Sequence, residues 1–132
     1  MLVTLPELRA AQERVRGVAV HTPLVRLEPE ALWIKAESLQ PIGSFKLRGA
    51  FNKIAQLSAQ KRACGVITYS SGNHAQGVAY AARALGIKAV IVMPSNAPEI
   101  KVKATQALGA EIVTVGPASS ERRVRAEELA AT

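Results

Sequence analysis

A pattern repeated at a spacing of 23 residues constrains the fold of this chain more than any other feature. Ala84-Leu85-Gly86 recurs as Ala107-Leu108-Gly109, and Pro94 recurs as Pro117. Each copy reads as a helix end, a glycine, an apolar strand and a proline loop. The glycine suits the left-handed position that closes a helix. A strand–helix unit used in succession builds a parallel sheet, because parallel neighbours need a crossover long enough to hold a helix. The strands Val66-Ile67-Thr68, Ala89-Val90-Ile91-Val92 and Ile112-Val113-Thr114-Val115 are largely apolar rather than alternating, as expected when helices cover both faces. A solenoid is the rival explanation, but two copies do not make an array. The expected class is α/β, a parallel twisted sheet with flanking helices.

The helices between these strands carry their own signals. Thr4-Leu5-Pro6-Glu7 has the capping-box spacing with a proline tolerated in the first turn. Leu8, Ala11, Val15 and Val18 then recur at helical spacing. Thr22-Pro23 breaks that pattern, and Ala31-Leu32-Trp33-Ile34 reads as a short buried strand. A second helix is predicted from about 45 to 57, with Leu47, Phe51 and Ile54 on one stripe. An alanine-rich helix is predicted from Asn73 to Leu85, another from Asn96-Ala97-Pro98-Glu99 to about Leu108, and a last one from about Ser120. No strand follows that helix to close the crossover, so further sequence is expected to complete the unit.

Composition removes several function classes. One cysteine, Cys64, forms no internal disulfide, and no apolar run reaches membrane-spanning length. The first residues place charges where a signal peptide needs an apolar stretch. A cytoplasmic setting without a membrane partner is the expectation. The net charge is +7, but the basic residues are scattered from Arg9 to Arg125, and the five aromatics form no stacking platform. The excess therefore reads as a surface property, not as a nucleic-acid face. All ten acidic residues are glutamates, which excludes every mechanism that requires an aspartate. Cys64, His21 and His74 lack metal-ligand spacing, so no metal site is expected. Cys64 reads as a small hydrophobe opening a buried strand. Lys101 and Lys103 read as a solvated helix face.

Two segments can carry chemistry. In Gly43-Ser44-Phe45-Lys46-Leu47-Arg48-Gly49-Ala50 a lysine opens a helix after a glycine–serine loop. A helix N-terminus is the positive end of the helix dipole, which disfavours an ammonium and favours the neutral amine that a nucleophile or Schiff base requires. An ordinary exposed lysine is the plain alternative. In Ser70-Ser71-Gly72-Asn73-His74-Ala75-Gln76-Gly77 a strand turns into a helix whose backbone N–H groups suit a carboxylate or phosphate. Simple N-capping by Ser70, Ser71 or Asn73 is the plain alternative there. The position at the carboxyl edge of a parallel strand favours binding.

Together the two motifs resemble those of the fold-type II pyridoxal-phosphate enzymes, in the threonine/serine dehydratase and serine racemase branch. Thr22-Pro23-Leu24, Lys35-x-Glu37, Met93-Pro94, Ala97-Pro98, Lys101 and Gly109-Ala110 extend the likeness along the chain. Leu47-Arg48-Gly49-Ala50 follows the lysine where cysteine and threonine synthases carry Asp-Arg, which favours the dehydratase branch. The resemblance implies that residues 1–44 belong to the large cofactor-binding domain and 45–132 to a small α/β domain, incomplete at its end. It implies pyridoxal 5'-phosphate as cofactor and a small amino acid as substrate. Lys46 would hold the cofactor covalently and then act as base at the substrate α-carbon. Phe45 would lie beside the pyridine ring, and Asn73 would hydrogen-bond its 3' oxygen. Ser70, Ser71, Gly72, Asn73 and His74 would grip the substrate carboxylate, with Ser71 as acid/base on the opposite face in a racemase. The implied reaction converts L-threonine or L-serine to a 2-oxo acid and ammonia, in an enzyme expected to be a homo-oligomer. Racemisation, and a fragment that only binds, are the alternatives. The family's glycine-rich phosphate loop, and its later Ser or Cys that meets the pyridine nitrogen, have no counterpart here. The chain is accordingly expected to be roughly the first two-fifths of such an enzyme, and inactive alone.

Overall fold

The computed structural model describes residues 2–29 and 31–131. Helix α1 (Leu5–Arg14) starts as its sequence predicts. The Thr4 hydroxyl accepts from the Glu7 N–H at 3.5 Å, and the Glu7 carboxylate accepts from the Thr4 N–H at 2.7 Å. Val15 closes the helix and Val18 lies beyond it. Both pack against the core, whereas Leu5 and Leu8 stay exposed.

The next segment departs from the expectation of one buried strand. There are two strands, β1 (Leu24–Leu27) and β2 (Leu32–Lys35), paired antiparallel with Leu24 opposite Lys35 and Leu27 opposite Leu32. Neither is buried: Trp33 is 58% exposed and Leu32 53%. A two-stranded ribbon buries its side chains only against another layer, and no described element covers this one. The exposed apolar side chains resemble a core strand in sequence because periodicity cannot tell what lies opposite a strand.

Helix α2 (Lys46–Ile54) presents Leu47, Ala50, Phe51 and Ile54 to the core. It ends three residues short of Leu57, and a further short helix, α3 (Ala59–Cys64), begins where the Ser58 hydroxyl accepts from the Lys61 N–H at 3.3 Å. Cys64 is therefore the last residue of a helix, exposed, with its Sγ donating to the Gln60 carbonyl at 3.5 Å; it does not open a buried strand. The apolar run that suggests otherwise starts one glycine later.

The repeat builds the expected sheet. Strands β3 (Val66–Tyr69), β4 (Ala89–Pro94) and β5 (Glu111–Val115) are parallel in the order β3-β4-β5. Helices α4 (Asn73–Ala84), α5 (Glu99–Ala107) and α6 (Ser119–Ala130) follow them in turn. Gly86 and Gly109 take φ of 65° and 86°, the left-handed conformation that the repeat requires after each helix. The central strand is buried except for the half-buried Val90; β3 and β5, at the sheet edges, remain partly open. The core joins Leu47, Phe51 and Ile54 of α2 to Ala75, Ala79 and Ala82 of α4 and to Ile91 and Met93 of β4. Alanines on the buried face of α4 let α2 lie close to it. Burying Leu47, Ile91 or Met93 contributes about 1.5–3 kcal/mol each. No described helix is long and apolar enough to cross a membrane.

Candidate active site

Parallel pairing puts the carboxyl ends of all three strands at one edge. Beyond Tyr69 the Ser70 N–H still donates to the Val92 carbonyl at 3.1 Å, and beyond Pro94 the Ser95 N–H donates to the Val115 carbonyl at 2.8 Å. The loops that follow β3 and β4, together with the first turns of α4 and α5, therefore crowd the same edge. This is where open α/β sheets bind ligands.

The first loop does not cap its helix with a side chain. Gly72 is the N-cap of α4 and no side chain accepts a hydrogen bond from the first turn. The Ser70 hydroxyl instead accepts from the Gly72 N–H at 3.3 Å, tightening the turn itself. Simple capping by Ser70, Ser71 or Asn73 is thus not what these residues do. The leading N–H groups of α4 stay without side-chain acceptors, at the positive end of the helix. Ser71 and Gly72 are half-buried; Asn73 and His74 open to solvent.

Lys46 is the first residue of α2. What brings it to the loop is the contact between α2 and α4. A Cβ on Gly77 would sit 3.1 Å from the Lys46 carbonyl oxygen and 3.4 Å from the Lys46 Cβ, closer than a side chain ordinarily fits. Gly77 therefore lets the start of α2 rest directly on α4, one turn after Asn73. The Lys46 ammonium lies 4.8 Å from the centroid of the Phe45 ring, a cation–π distance. His74 registers the arrangement: its pKa is lowered first by partial desolvation and then by the positive charge of Lys46. Phe45, Lys46 and His74 are thus one cluster, with the Ser70–Asn73 turn beside it. An apolar cavity of about 510 Å³ lies between α2, α3 and β3 and takes His74 into its wall, but Lys46 and the serine turn stand outside it on the open edge.

A second network holds α2 from the other side. The Glu37 carboxylate, in a 3-10 turn (Glu37–Leu39), accepts from Arg48 Nε at 2.8 Å and Nη2 at 2.7 Å, and from the Thr22 hydroxyl at 2.6 Å. Gln40 bonds both the N–H and the carbonyl of Val20, at 2.9 and 2.8 Å, and Arg48 Nη2 donates to that same carbonyl at 2.9 Å. The motifs Lys35-x-Glu37 and Leu47-Arg48-Gly49 contain this pair, yet neither motif assigns it a role. The pairing spans eleven residues and a change of element, so no local pattern announces it.

Lys101 departs from the solvated face that its sequence suggests. It is half-buried, and its Nζ lies 3.7 Å from where a Cβ on Gly72 would be. Lys103 does face solvent and pairs with Glu99 at 2.6 Å. Among the described residues no three His, Cys, Asp or Glu side chains group to hold a metal ion.

Comparison with known proteins shows the family of the chain. Residues 15–132 match the family model described as pyridoxal-phosphate dependent enzyme. The chain is 52% identical over 122 residues to the biosynthetic L-threonine dehydratase of Haemophilus influenzae, covering 88% of this chain and 24% of that protein. It is 38% identical over 135 residues to serine racemase of Schizosaccharomyces pombe, covering 98% of this chain and 42% of that one. Among solved structures, maize serine racemase superposes with a TM-score of 0.93 at 34% identity, over 98% of this chain and 41% of that chain. The chain thus spans between about a quarter and two-fifths of the length of these relatives. With a match over most of its length, the chain belongs to the pyridoxal-phosphate dependent enzyme family.

Proposed function

We propose that this chain carries the lysine and carboxylate-loop half of an enzyme that eliminates water from L-threonine or L-serine, releasing a 2-oxo acid and ammonia. The observation that carries the reading is the Lys46 helix start seated on α4 through Gly77, next to an N-terminus left uncapped by any side chain. The 52% identity to a threonine dehydratase supports this choice of reaction.

The residues present fit pyridoxal 5'-phosphate. Lys46 offers a primary amine at an exposed helix start, and the Ser44 hydroxyl, two residues earlier, is buried without a hydrogen-bond partner. Lys46 and Phe45 would hold the group, with Asn73 bonding it from the start of α4. When bound, pyridoxal phosphate supplies an electron sink that makes loss of the α-proton and of a β-hydroxyl feasible. The protein does the rest. Lys46 Nζ takes the α-proton. Ser70, Ser71, Gly72, Asn73 and His74 hold the substrate carboxylate with backbone N–H groups and hydroxyls, which fixes the α-carbon toward Lys46. His74, with its pKa lowered, enters neutral at pH 7 and leaves Lys46 without a second full charge beside it.

The second reading is racemisation, favoured by the structural match to maize serine racemase; there Ser71 would exchange the proton on the face opposite Lys46. Products from L-serine separate the two: pyruvate indicates elimination, D-serine racemisation. A cytoplasmic homo-oligomer without nucleic-acid or membrane partners is part of the same reading. Of these, only the absence of a nucleic-acid face draws support from the structure's charges: exposed basic residues pair with glutamates, as in Arg16–Glu13, Lys88–Glu111 and Arg125–Glu128.

The test is direct labelling. The chain is incubated with pyridoxal 5'-phosphate, reduced with borohydride and digested, and the modified peptide is identified by mass spectrometry. A single adduct on Lys46, lost in Lys46→Ala, is the expected result. Label spread over surface lysines with none on Lys46 would overturn the assignment.

A further inference from the structure

Lys101 is the third residue of α5, within its first turn. That is the positive end of a helix, where a cation is disfavoured unless something negative answers it. Nothing among the described residues does: the Lys101 ammonium makes no hydrogen bond or ion pair, and Glu99 on the same helix is engaged by Lys103. The side chain is half-buried and its nitrogen is directed over the turn between β3 and α4, close to Gly72. The first turn of α4, which begins after Gly72, presents N–H groups that no side chain accepts from. Two sources of positive potential, the Lys101 ammonium and this helix start, therefore meet at Gly72, and a surface of one sign concentrates ions of the other.

We propose that Lys101 is a substrate-recognition residue of this site, providing the charge that holds the substrate α-carboxylate on the Ser70–Asn73 turn. The inference rests on the proposed function for the identity of the anion and adds to it a residue outside the two motifs. A lysine suits this role because its ammonium is a compact point charge on a flexible stem. It can follow a carboxylate that docks on backbone N–H groups, where a planar fork would impose its own geometry.

The test uses the full chain, without cofactor, so its outcome is independent of labelling at Lys46. The ¹⁵N-labelled protein is titrated with sodium formate, and with formamide as the uncharged isostere, while the amide signals of Gly72, Asn73 and His74 are followed by NMR. Formate is expected to shift them to saturation and formamide to leave them in place. Lys101→Met should raise the formate dissociation constant about tenfold, and Lys101→Arg should raise it less. Lys103→Met, which removes a charge already paired with Glu99, should leave it unchanged. Lys101→Gln is read in parallel, so that one poorly folded variant does not decide the matter. Formate binding to a well-dispersed Lys101→Met or Lys101→Gln protein as tight as to the unaltered chain would overturn the proposal. So would equal responses to formate and formamide, or no response at all. Loss of formate binding in these variants while Lys46 still takes the cofactor label would support it separately from the reaction.

Discussion

Arg48 grips Glu37 with both prongs of its guanidinium, Nε to one carboxylate oxygen at 2.8 Å and Nη2 to the other at 2.7 Å. The pair joins the first forty-odd residues to the helix that Lys46 opens. Parallel N–H···O bonds between a guanidinium and a carboxylate fix direction as well as distance. The strand ribbon and the 3-10 turn are thereby referenced to α2.

That pair makes an acid-sensitive joint. The Glu37 pKa falls from 4.5 to about 2, chiefly through the Arg48 hydrogen bonds, with burial opposing and Thr22, the Arg48 charge and Gln40 assisting. The carboxylate is more acidic folded than unfolded, so its contribution is present above pH 4.5 and lost as pH falls toward 2. Thermal melts between pH 6 and 2 should show a fall in Tm that is smaller in Glu37→Gln. That variant should also be less stable at pH 7 by about 2 kcal/mol, the scale of a hydrogen bond to a charged group. Identical pH slopes in the two proteins would refute this account.

Gly77→Ala tests the seat of Lys46. The added methyl would press on the Lys46 carbonyl at 3.1 Å, a backbone atom that cannot rotate away. The expected cost is about 1–3 kcal/mol, as for overpacked cores. Urea titration measures it. Lys46 labelling by pyridoxal phosphate should also slow, because α2 must shift to admit the methyl.

His74 reports on Lys46 in solution. Its ring protons should titrate below pH 6.5, by NMR, because desolvation and then the Lys46 charge lower its pKa. Lys46→Met removes the second cause only, so the midpoint should rise without returning fully to 6.5. A midpoint unmoved by that substitution would mean the two groups do not sense each other.

Leu47, next to the lysine, is fully buried. Leu47→Ala should cost about 2–5 kcal/mol by chemical denaturation, the range for truncating a core leucine. A cost below about 1 kcal/mol would show that α2 is anchored by its polar network rather than by its apolar stripe.

The parallel sheet is legible in Ala84-Leu85-Gly86 and its echo, because a glycine cap and an apolar run are local signals with one structural meaning each. The helix start at Lys46 and the turn from β3 into α4 at Ser70–Asn73 are legible as local elements, from the glycine–serine segments that precede each helix. Three other features are not. The ribbon of β1 and β2 depends on what lies opposite Trp33, which no spacing encodes. Cys64 belongs to the helix before its apparent strand, at a boundary, where sequence signals are weakest. The Arg48–Glu37 grip and the reach of Lys101 to Gly72 arise only when α2 and α5 take their places, since each joins residues distant in sequence.

Trp33 is the chain's single tryptophan, and it stands on the exposed ribbon rather than in the sheet core. Its fluorescence will therefore watch the ribbon and be nearly blind to β4. Helical circular dichroism watches α2, α4 and the core instead. Where the two curves superpose, the ribbon melts with the sheet; where the emission changes first, the ribbon peels away while the sheet stands. Intrinsic fluorescence thus gives this protein a built-in gauge of how firmly its β1–β2 ribbon is fastened.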